Sequence, residues 1–392
     1  MDFDVAVIGA GPTGGYTADV LSRKGWRVAL IEEHRKIGYP VQCAGLVTPR
    51  IFEIVDKRST VVNKIRGAEI YSPSGREITI DGRETEAVVL DRAAFDREIA
   101  RDALLHGATS FLGSTALDAE RTEKGIEVAL QTPEKLVKIG CKILIGADGI
   151  RSNVAKWFQL PKAESIVKGF EAELLEVDCD PRFAKIFVGN DVAPGFFSWI
   201  IPSGETARVG LCVSGGSAYH HFNLLFRVGE ASRFLKDART ISFVAGAIPF
   251  GYLSRTATDN VMIVGDAACQ AKATTGGGIY TGMVAAKICA DTALLALETE
   301  DFSKRFLSRY HRSWKRAIGR ELKRDLHIHR LYRELTDEQF EELFDLIDNE
   351  EIIELISEQG DITFPSNIGW HLLRKEPRFL RYLTPALKSF FR

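Results

Sequence analysis

The sequence predicts an α/β fold. A nucleotide-binding domain is assembled from distant pieces of chain, an antiparallel-sheet domain is inserted between them, and a helical region follows. Three observations carry this prediction. Apolar runs suited to strands buried on both faces recur at 4–9 (DVAVIG), 142–149 (KILIGADG) and 260–268 (NVMIVGDAA), as a parallel sheet covered on both sides requires. Between about 165 and 250 the texture changes to FEAELLEV, AKIFVG, FFSWIIP, ARVGLCV and TISFVAGAIP, which read as antiparallel strands with one helix near 219–236 among them. Beyond 300 the chain is charged and helical. The expected boundaries are 1–165 and 255–300 for the nucleotide-binding domain, 166–254 for the sheet domain and 301–392 for the helical region. A chain of 392 residues is long enough for two or three such units.

The elements follow in order. After the first strand, GAGPTGG leads into a helix through TADVLSRKG that stops at Gly25, a residue suited to the turn beyond a helix end. WRVALIE (26–32) is the second strand, and 33–65 reads as irregular and then helical. GAEIYSPSGREITI (67–80) is a hairpin turning at Pro73-Ser74-Gly75, able to join the sheet domain. LDRAAFDREIARDALLHGA (90–108) spaces its apolar residues for an amphipathic helix ending at Gly107. A helix from Gly278 to about Leu297 follows the third buried strand. In the tail, Thr336-x-x-Gln339 has the form of a capping box, and the helical pattern after it ends at Gly360.

Composition narrows the function. Lys+Arg 51 against Asp+Glu 53 offers no field to attract nucleic acid. The six cysteines, at 43, 141, 179, 212, 269 and 289, form no CxxC pair, so neither a disulfide framework nor a metal site is expected and reduced thiols in an intracellular enzyme are. The N-terminus has no signal segment and no uninterrupted apolar run reaches the length of a membrane span. The expected location is the cytoplasm.

Gly9-x-Gly11-x-x-Gly14 lies between a strand and a helix, with Glu32 ending the next strand, 23 positions after Gly9. Gly9 permits the tight turn, Gly11 lets backbone approach a pyrophosphate, and Gly14 lets the helix pack close to the sheet. The helix N-terminus offers free N–H groups to the phosphates, and Glu32 can accept from an adenosine ribose. The fingerprint leaves NAD and FAD both open. Together with IGADGIRS (145–152) and NVMIVGDAACQAKATTGGGIYTGM (260–283), the sequence resembles the FAD-dependent proteins related to p-hydroxybenzoate hydroxylase. That resemblance implies a discontinuous Rossmann-like FAD-binding domain. It implies Asp266 on the ribityl hydroxyls, Gly277, Gly278 and Ile279 along the pyrimidine edge, Arg92 reaching the cofactor, Ala116 beside the adenine, and Thr13 among the fingerprint contacts. A helix N-terminus at the glycines suits the negative charge of reduced flavin.

PVQCAG, with Cys43 and Ala44, and the strand FFSWIIP are similar to segments of the geranylgeranyl reductase family, in particular its archaeal branch acting on phospholipid precursors. The family strand carries Tyr, Trp and Phe before its Pro. This chain has Phe197, Trp199, Ile201 and Pro202, so no role can rest on a phenol at 197. The resemblance implies Cys43 at the flavin and Phe197 and Trp199 as an aromatic wall for a long hydrocarbon, on one strand face at period two. The face can equally be ordinary core. Saturating an isolated alkene calls for a hydride and a proton, and aromatic faces can stabilise the cationic carbon by about 0.5–2 kcal/mol each. Cys43 is a candidate donor or positioning group. His327 and His329, two apart on a helix, fall on different faces and make poor metal ligands. The expected partners are an isoprenoid lipid substrate and a transient reductant, either a nicotinamide or a ferredoxin-like protein. The tail HLLRKEPRFLRYLTPALKSFFR mixes basic and aromatic residues, which suits either an anionic membrane surface or packing on its own domain. An aromatic monooxygenase, a halogenase or an electron-transfer flavoprotein of the same fold is the alternative.

Overall fold

The computed structural model describes residues 2–382. Five parallel strands lie in the order Thr109–Leu112, Val28–Glu32, Phe3–Ile8, Leu136–Gly146, Val261–Ile263, the order of a doubly wound nucleotide-binding sheet. Val5, Val7, Leu30, Ile143 and Ile145 pack with residues of helices Pro12–Arg23, Arg92–Leu105 and Ile279–Thr299. Ala6, Ile8, Ala29, Ile31 and Leu144 pack with an antiparallel meander made of Thr115–Thr122, Gly125–Gln131 and the first half of Leu136–Gly146. Both faces are covered at the centre of the sheet, which is why Val5–Ile8, Val28–Ile31, Ile143–Ile145 and Val261–Ile263 are apolar at every position rather than at alternate ones.

The second sheet has seven strands in the order Arg239–Phe250, Ser165–Leu175, Thr206–Val213, Phe197–Ser203, Phe183–Val188, Gly67–Tyr71, Glu77–Asp81. Its pairings are antiparallel except that between Phe183–Val188 and Gly67–Tyr71, so the 67–80 hairpin extends this sheet. One face carries Ala172, Leu174, Ile200, Val209, Leu211 and Val213, packed on helix Ala218–Leu225. The opposite face looks onto a cavity.

Several expectations need correction. The single helix near 219–236 is two short ones, Ala218–Leu225 and Ala231–Phe234. The stretch 33–65 holds two 3₁₀ turns, Pro49–Glu53 and Arg58–Thr60, and strands Leu46–Val47 and Val61–Ile65 that pair with Ala87–Leu90. NVMIVGDAA is a strand only over Val261–Ile263 before the turn Gly265–Ala268. The capping box at Thr336 is present, but the pattern behind it splits into Asp337–Ile347 and Glu350–Gln359, with Asn349 capping the second. Helix Ile279–Thr299 is long and apolar enough to cross a membrane by length and composition. Met283, Ala286, Cys289, Ala293 and Leu297 nonetheless lie in the core between it and the sheet. Residues 383–392 of the basic tail lie outside the described residues. Before them, Lys375 pairs with Glu351 (2.5 Å), Arg378 with Glu376 (2.7 Å) and Arg381 with Glu342 (3.1 Å).

Candidate active site

The fingerprint turn is built by close approach. Gly9 has φ +98°, and a Cβ there would lie 2.2 Å from the Ala147 carbonyl oxygen; a Cβ on Gly14 would lie 1.9 Å from the Gly9 oxygen. Only glycine fits either position. Glu32 accepts from the Ala10 amide at 2.9 Å and the His34 amide at 3.0 Å. The Ser114 amide donates to the Glu32 carbonyl at 2.9 Å, which brings the strand bearing Ala116 alongside. Glu32 and Ala116 lie off the wall of the large cavity, whereas Gly11 and Thr13 are on it. Thr13 wedges between Gly265 and Gly282, where added Cβ atoms would come within 2.9 and 2.8 Å of it. The first motif and the distal GDAA motif are thereby locked together.

That cavity, about 830 Å³, is at the upper end of small-molecule pockets. At one end stand Arg92, Cys43, Asp266 and the loop Gly276–Ile279. Arg92 opens helix Arg92–Leu105 behind the Asp91 cap and pairs with Asp96 at 3.1 Å. Burial opposes the Arg92 charge, but Asp96 and then Cys43 outweigh it and hold the guanidinium protonated. Its Nε is buried without a partner. Burial pushes the Asp266 carboxyl up to about 6, against the pull of Arg92. Gly278 precedes helix Ile279–Thr299 with no side-chain cap, so the positive end of a 21-residue helix meets the cavity. Gly265 is fixed by the buried Gln270, which accepts from the Gly265 amide at 2.7 Å and donates to the Tyr310 hydroxyl at 3.0 Å.

Cys43 is half-buried in the loop 38–45, and its Sγ accepts from the Gly45 amide at 3.3 Å. The loop is pinned on two sides. Gln42 donates to the Ala245 carbonyl at 3.3 Å, and Arg208 donates to the carbonyls of Ala44 (2.6 Å) and Leu90 (3.0 Å). These anchors sit on the strands flanking Ser165–Leu175, so the thiol loop spans that strand.

The second half of the cavity is the open face of the seven-stranded sheet. Phe197, Trp199 and Ile201 line it together with Ile186, Val244 and Ile248, while Ile200 turns to the opposite core. Gly276 joins the two halves: a Cβ there would lie 2.9 Å from Ile248 and 3.6 Å from Phe196. A third wall comes from the C-terminal region, including Ile356, Ile362 and Ile368.

Three wall residues were not singled out from sequence. Glu171 accepts from the Trp199 indole N–H at 2.9 Å; in the run FEAELLEV it looks like one of the solvated residues of an alternating strand. Lys272 is buried, donates to the Ile362 carbonyl and lies beside Gly277. Burial lowers its pKa, with Asp325 and Glu321 opposing. Ile362 sits in a tail whose apolar spacing reads as ordinary packing. Asp148 is a local cap, accepting from Ser152 at 2.7 Å and the Val154 amide at 3.1 Å. His329 is buried edge-on to Phe196 and Phe250, and burial lowers its pKa to about 4.

Fold and site together define an FAD-binding oxidoreductase, and residues 2–221 match the FAD binding domain family. A digeranylgeranylglycerophospholipid reductase of Methanocaldococcus jannaschii is 32% identical over 394 residues, 98% of each chain. Another, of Methanothrix thermoacetophila, is 31% identical over 363 residues, 90% of this chain and 93% of the relative. A crystal structure of a geranylgeranyl bacteriochlorophyll reductase-like protein from Thermoplasma acidophilum superposes with a TM-score of 0.87 at 25% identity, covering 98% of both chains. The chain belongs to the geranylgeranyl reductase family of FAD-dependent oxidoreductases, and its cofactor is FAD. The residues present fit that group: Gly11 on the cavity wall, where a Cβ would stand in open space, an uncapped helix N-terminus, and a buried guanidinium with a free Nε beside a buried carboxyl.

Proposed function

We propose that this protein saturates C=C bonds of geranylgeranyl chains in membrane-lipid precursors. The observation that carries the reading is the continuity of the cavity. Cofactor-motif residues Arg92, Asp266 and Gly277–Ile279 and the apolar wall of Phe197, Trp199, Ile201, Ile186 and Ile248 line one space. An elongated hydrocarbon can lie there against a mostly apolar wall. A phenolate substrate, as an aromatic monooxygenase would need, finds far less complementary polar surface.

In this reading Gly9, Gly11, Thr13, Gly14, Glu32 and Ala116 hold the adenosine diphosphate portion of the cofactor. Cys43, Ala44, Arg92, Asp266, Gly277, Gly278 and Ile279 surround its ring and ribityl chain. Reduced FAD supplies the two electrons, as hydride, that alkene saturation consumes. Phe197 and Trp199 exclude water from the double bond and offer π faces to a carbon that becomes electron-poor. Cys43, next to the charged Arg92, positions the ring-side loop. A nicotinamide or a ferredoxin-like protein reduces the cofactor between turnovers, and the substrate is collected at the inner membrane surface by an otherwise cytoplasmic enzyme.

The test is anaerobic. The flavin is photoreduced, then a geranylgeranyl lipid, a phenol or buffer is added and the flavin absorbance followed. Reoxidation by the lipid alone is expected, with saturated product in the extract. Reduced flavin that persists with lipid and is discharged only by oxygen would end the proposal.

A further inference from the structure

The proposed reaction leaves its proton unassigned, and any assignment of that proton rests on the proposed function. An isolated trisubstituted alkene has no carbonyl to draw electrons, so the donor must be protonated at working pH yet a stronger acid than an ordinary thiol. The cavity wall holds five carboxyls besides its thiols: Glu86, Asp96, Glu171, Asp266 and Asp361. Asp96 is paired with Arg92, Asp361 with Arg50 at 2.9 Å, and Asp266 belongs to the cofactor motif beside Arg92. Glu86 also lines a second, smaller pocket with Arg50 and Asp361, whose charges act on it. Glu171 alone of the five stands in the middle of the apolar sheet face.

We propose that the Glu171 carboxyl delivers the proton to the substrate double bond, aimed by the indole of Trp199.

The geometry is a single row across the sheet. Val244, Glu171, Gly210, Trp199 and Ile186 are successive cross-strand neighbours. Gly210 leaves the space through which the indole lies across its own neighbour strand to reach the carboxyl; a Cβ there would be 2.7 Å from Trp199 Cζ2. The indole N–H occupies Oε2 at 2.9 Å, which leaves Oε1 to carry the acid proton. The groups facing Glu171 from the packed elements are few. Trp199 comes from Phe197–Ser203, Arg208 and Cys212 from Thr206–Val213, Glu173 from its own strand, and apolar Val244 from Arg239–Phe250. Burial pushes the carboxyl up to about 7; the indole bond and Arg208 pull it down, and Glu173 adds to the rise. A group poised there is protonated at neutral pH and still a competent acid.

The step balances. The Glu171 O–H bond breaks and the alkene π pair forms a C–H bond at the less substituted carbon. The other carbon accepts hydride, with its electron pair, from reduced FAD, whose oxidation matches the reduction of the alkene. The carboxylate left behind keeps the indole hydrogen bond and regains a proton from water.

Glu171→Gln separates the roles, because its amide oxygen still accepts from the indole but it has no acid proton. Single-turnover flavin reoxidation by a geranylgeranyl lipid is followed against pH in holoenzyme of matched FAD content. The wild-type rate is expected to decline above pH about 7. E171Q is expected to be about 10²-fold slower or worse and to lack that limb. Difference infrared spectra give a readout independent of turnover. A carboxylic acid C=O band absent from E171Q should be present in the oxidised wild-type holoenzyme at pH 6 and fade as the pH is raised. An E171Q rate equal to wild type, or a Glu171 already ionised at pH 6, overturns the assignment alone. A wild type that no isoprenoid lipid reoxidises overturns the proposed function and this step together.

Discussion

Between Trp199 and Glu171 lies a residue with no side chain. Adding one methyl at Gly210 would set it 2.7 Å from the indole and 2.9 Å from the Phe170 carbonyl oxygen, distances that packed atoms do not tolerate. Gly210→Ala should push the indole off Glu171. The broken hydrogen bond and the two polar groups left in an apolar wall cost about 1–3 kcal/mol. Denaturant unfolding should show that loss, tryptophan emission should shift, FAD should remain bound, and reoxidation by lipid should slow. Unchanged stability and emission in G210A would mean that the indole does not lie across this strand. The contrast with Gly9 shows what is legible at this scale. The positive φ of Gly9, +98°, is demanded by the turn of its own motif, so its spacing announces it, even though the Ala147 oxygen closes on it as well. The requirement at Gly210 comes from a ring on another strand, and no local pattern records it. Glu171 was hidden for the same reason, since alternation along a strand tells which residues share a face but not whether that face meets water or a cavity.

Elements with a strong local period were readable: the first strand–turn–helix unit, the 67–80 hairpin, the helix after Asp91 and the long helix after Gly278. The stretch 33–65 was misread because pairing with Ala87–Leu90, not propensity, sets its conformation. The loop around Cys43 is the extreme case, having almost no structure of its own and taking its place from Arg208, Gln42 and Leu90. Arg208 also works at a distance, since its charge lowers the Glu171 pKa. Arg208→Met therefore has two expected effects. The Ala44 and Leu90 carbonyls lose their donor, so alkylation of Cys43 by iodoacetamide should quicken several-fold. Removal of the positive charge should keep Glu171 protonated to higher pH, moving the alkaline limb of the reoxidation rate upward. A faster Cys43 with an unmoved limb would confine Arg208 to holding the loop; an unmoved limb and an unchanged thiol would show that it does neither.

No single region of the chain owns the cavity. The nucleotide-binding sheet supplies the glycine loops and Arg92, the seven-stranded sheet supplies the aromatic face, and the C-terminal region closes the remaining side with Ile356, Ile362 and Ile368. The last contribution was invisible in sequence because Ile356, Ile362 and Ile368 fall on three separate short segments, and apolar residues there predict packing without saying against what. The structure ties this wall down from several directions: Lys272 to the Ile362 carbonyl, Arg50 to Asp361 at 2.9 Å, and the Ser366 amide to Glu321 at 2.9 Å. These bonds are made by backbone and by residues other than Ile362, so the Ile362 side chain can be changed without cutting them. A hydrocarbon lying along the wall would touch that side chain, whereas the cofactor motifs lie on other elements. Ile362→Asp should therefore leave FAD content and photoreduction as in wild type and slow reoxidation by a geranylgeranyl lipid by about tenfold or more, because a carboxylate in an apolar wall either stays solvated in the lipid's place or is buried at a cost of several kcal/mol. Ile362→Val, one methylene smaller, should stay within a few-fold of wild type. If I362D reduces the lipid at the wild-type rate, the chain runs along the sheet alone and the C-terminal wall serves only to close the fold.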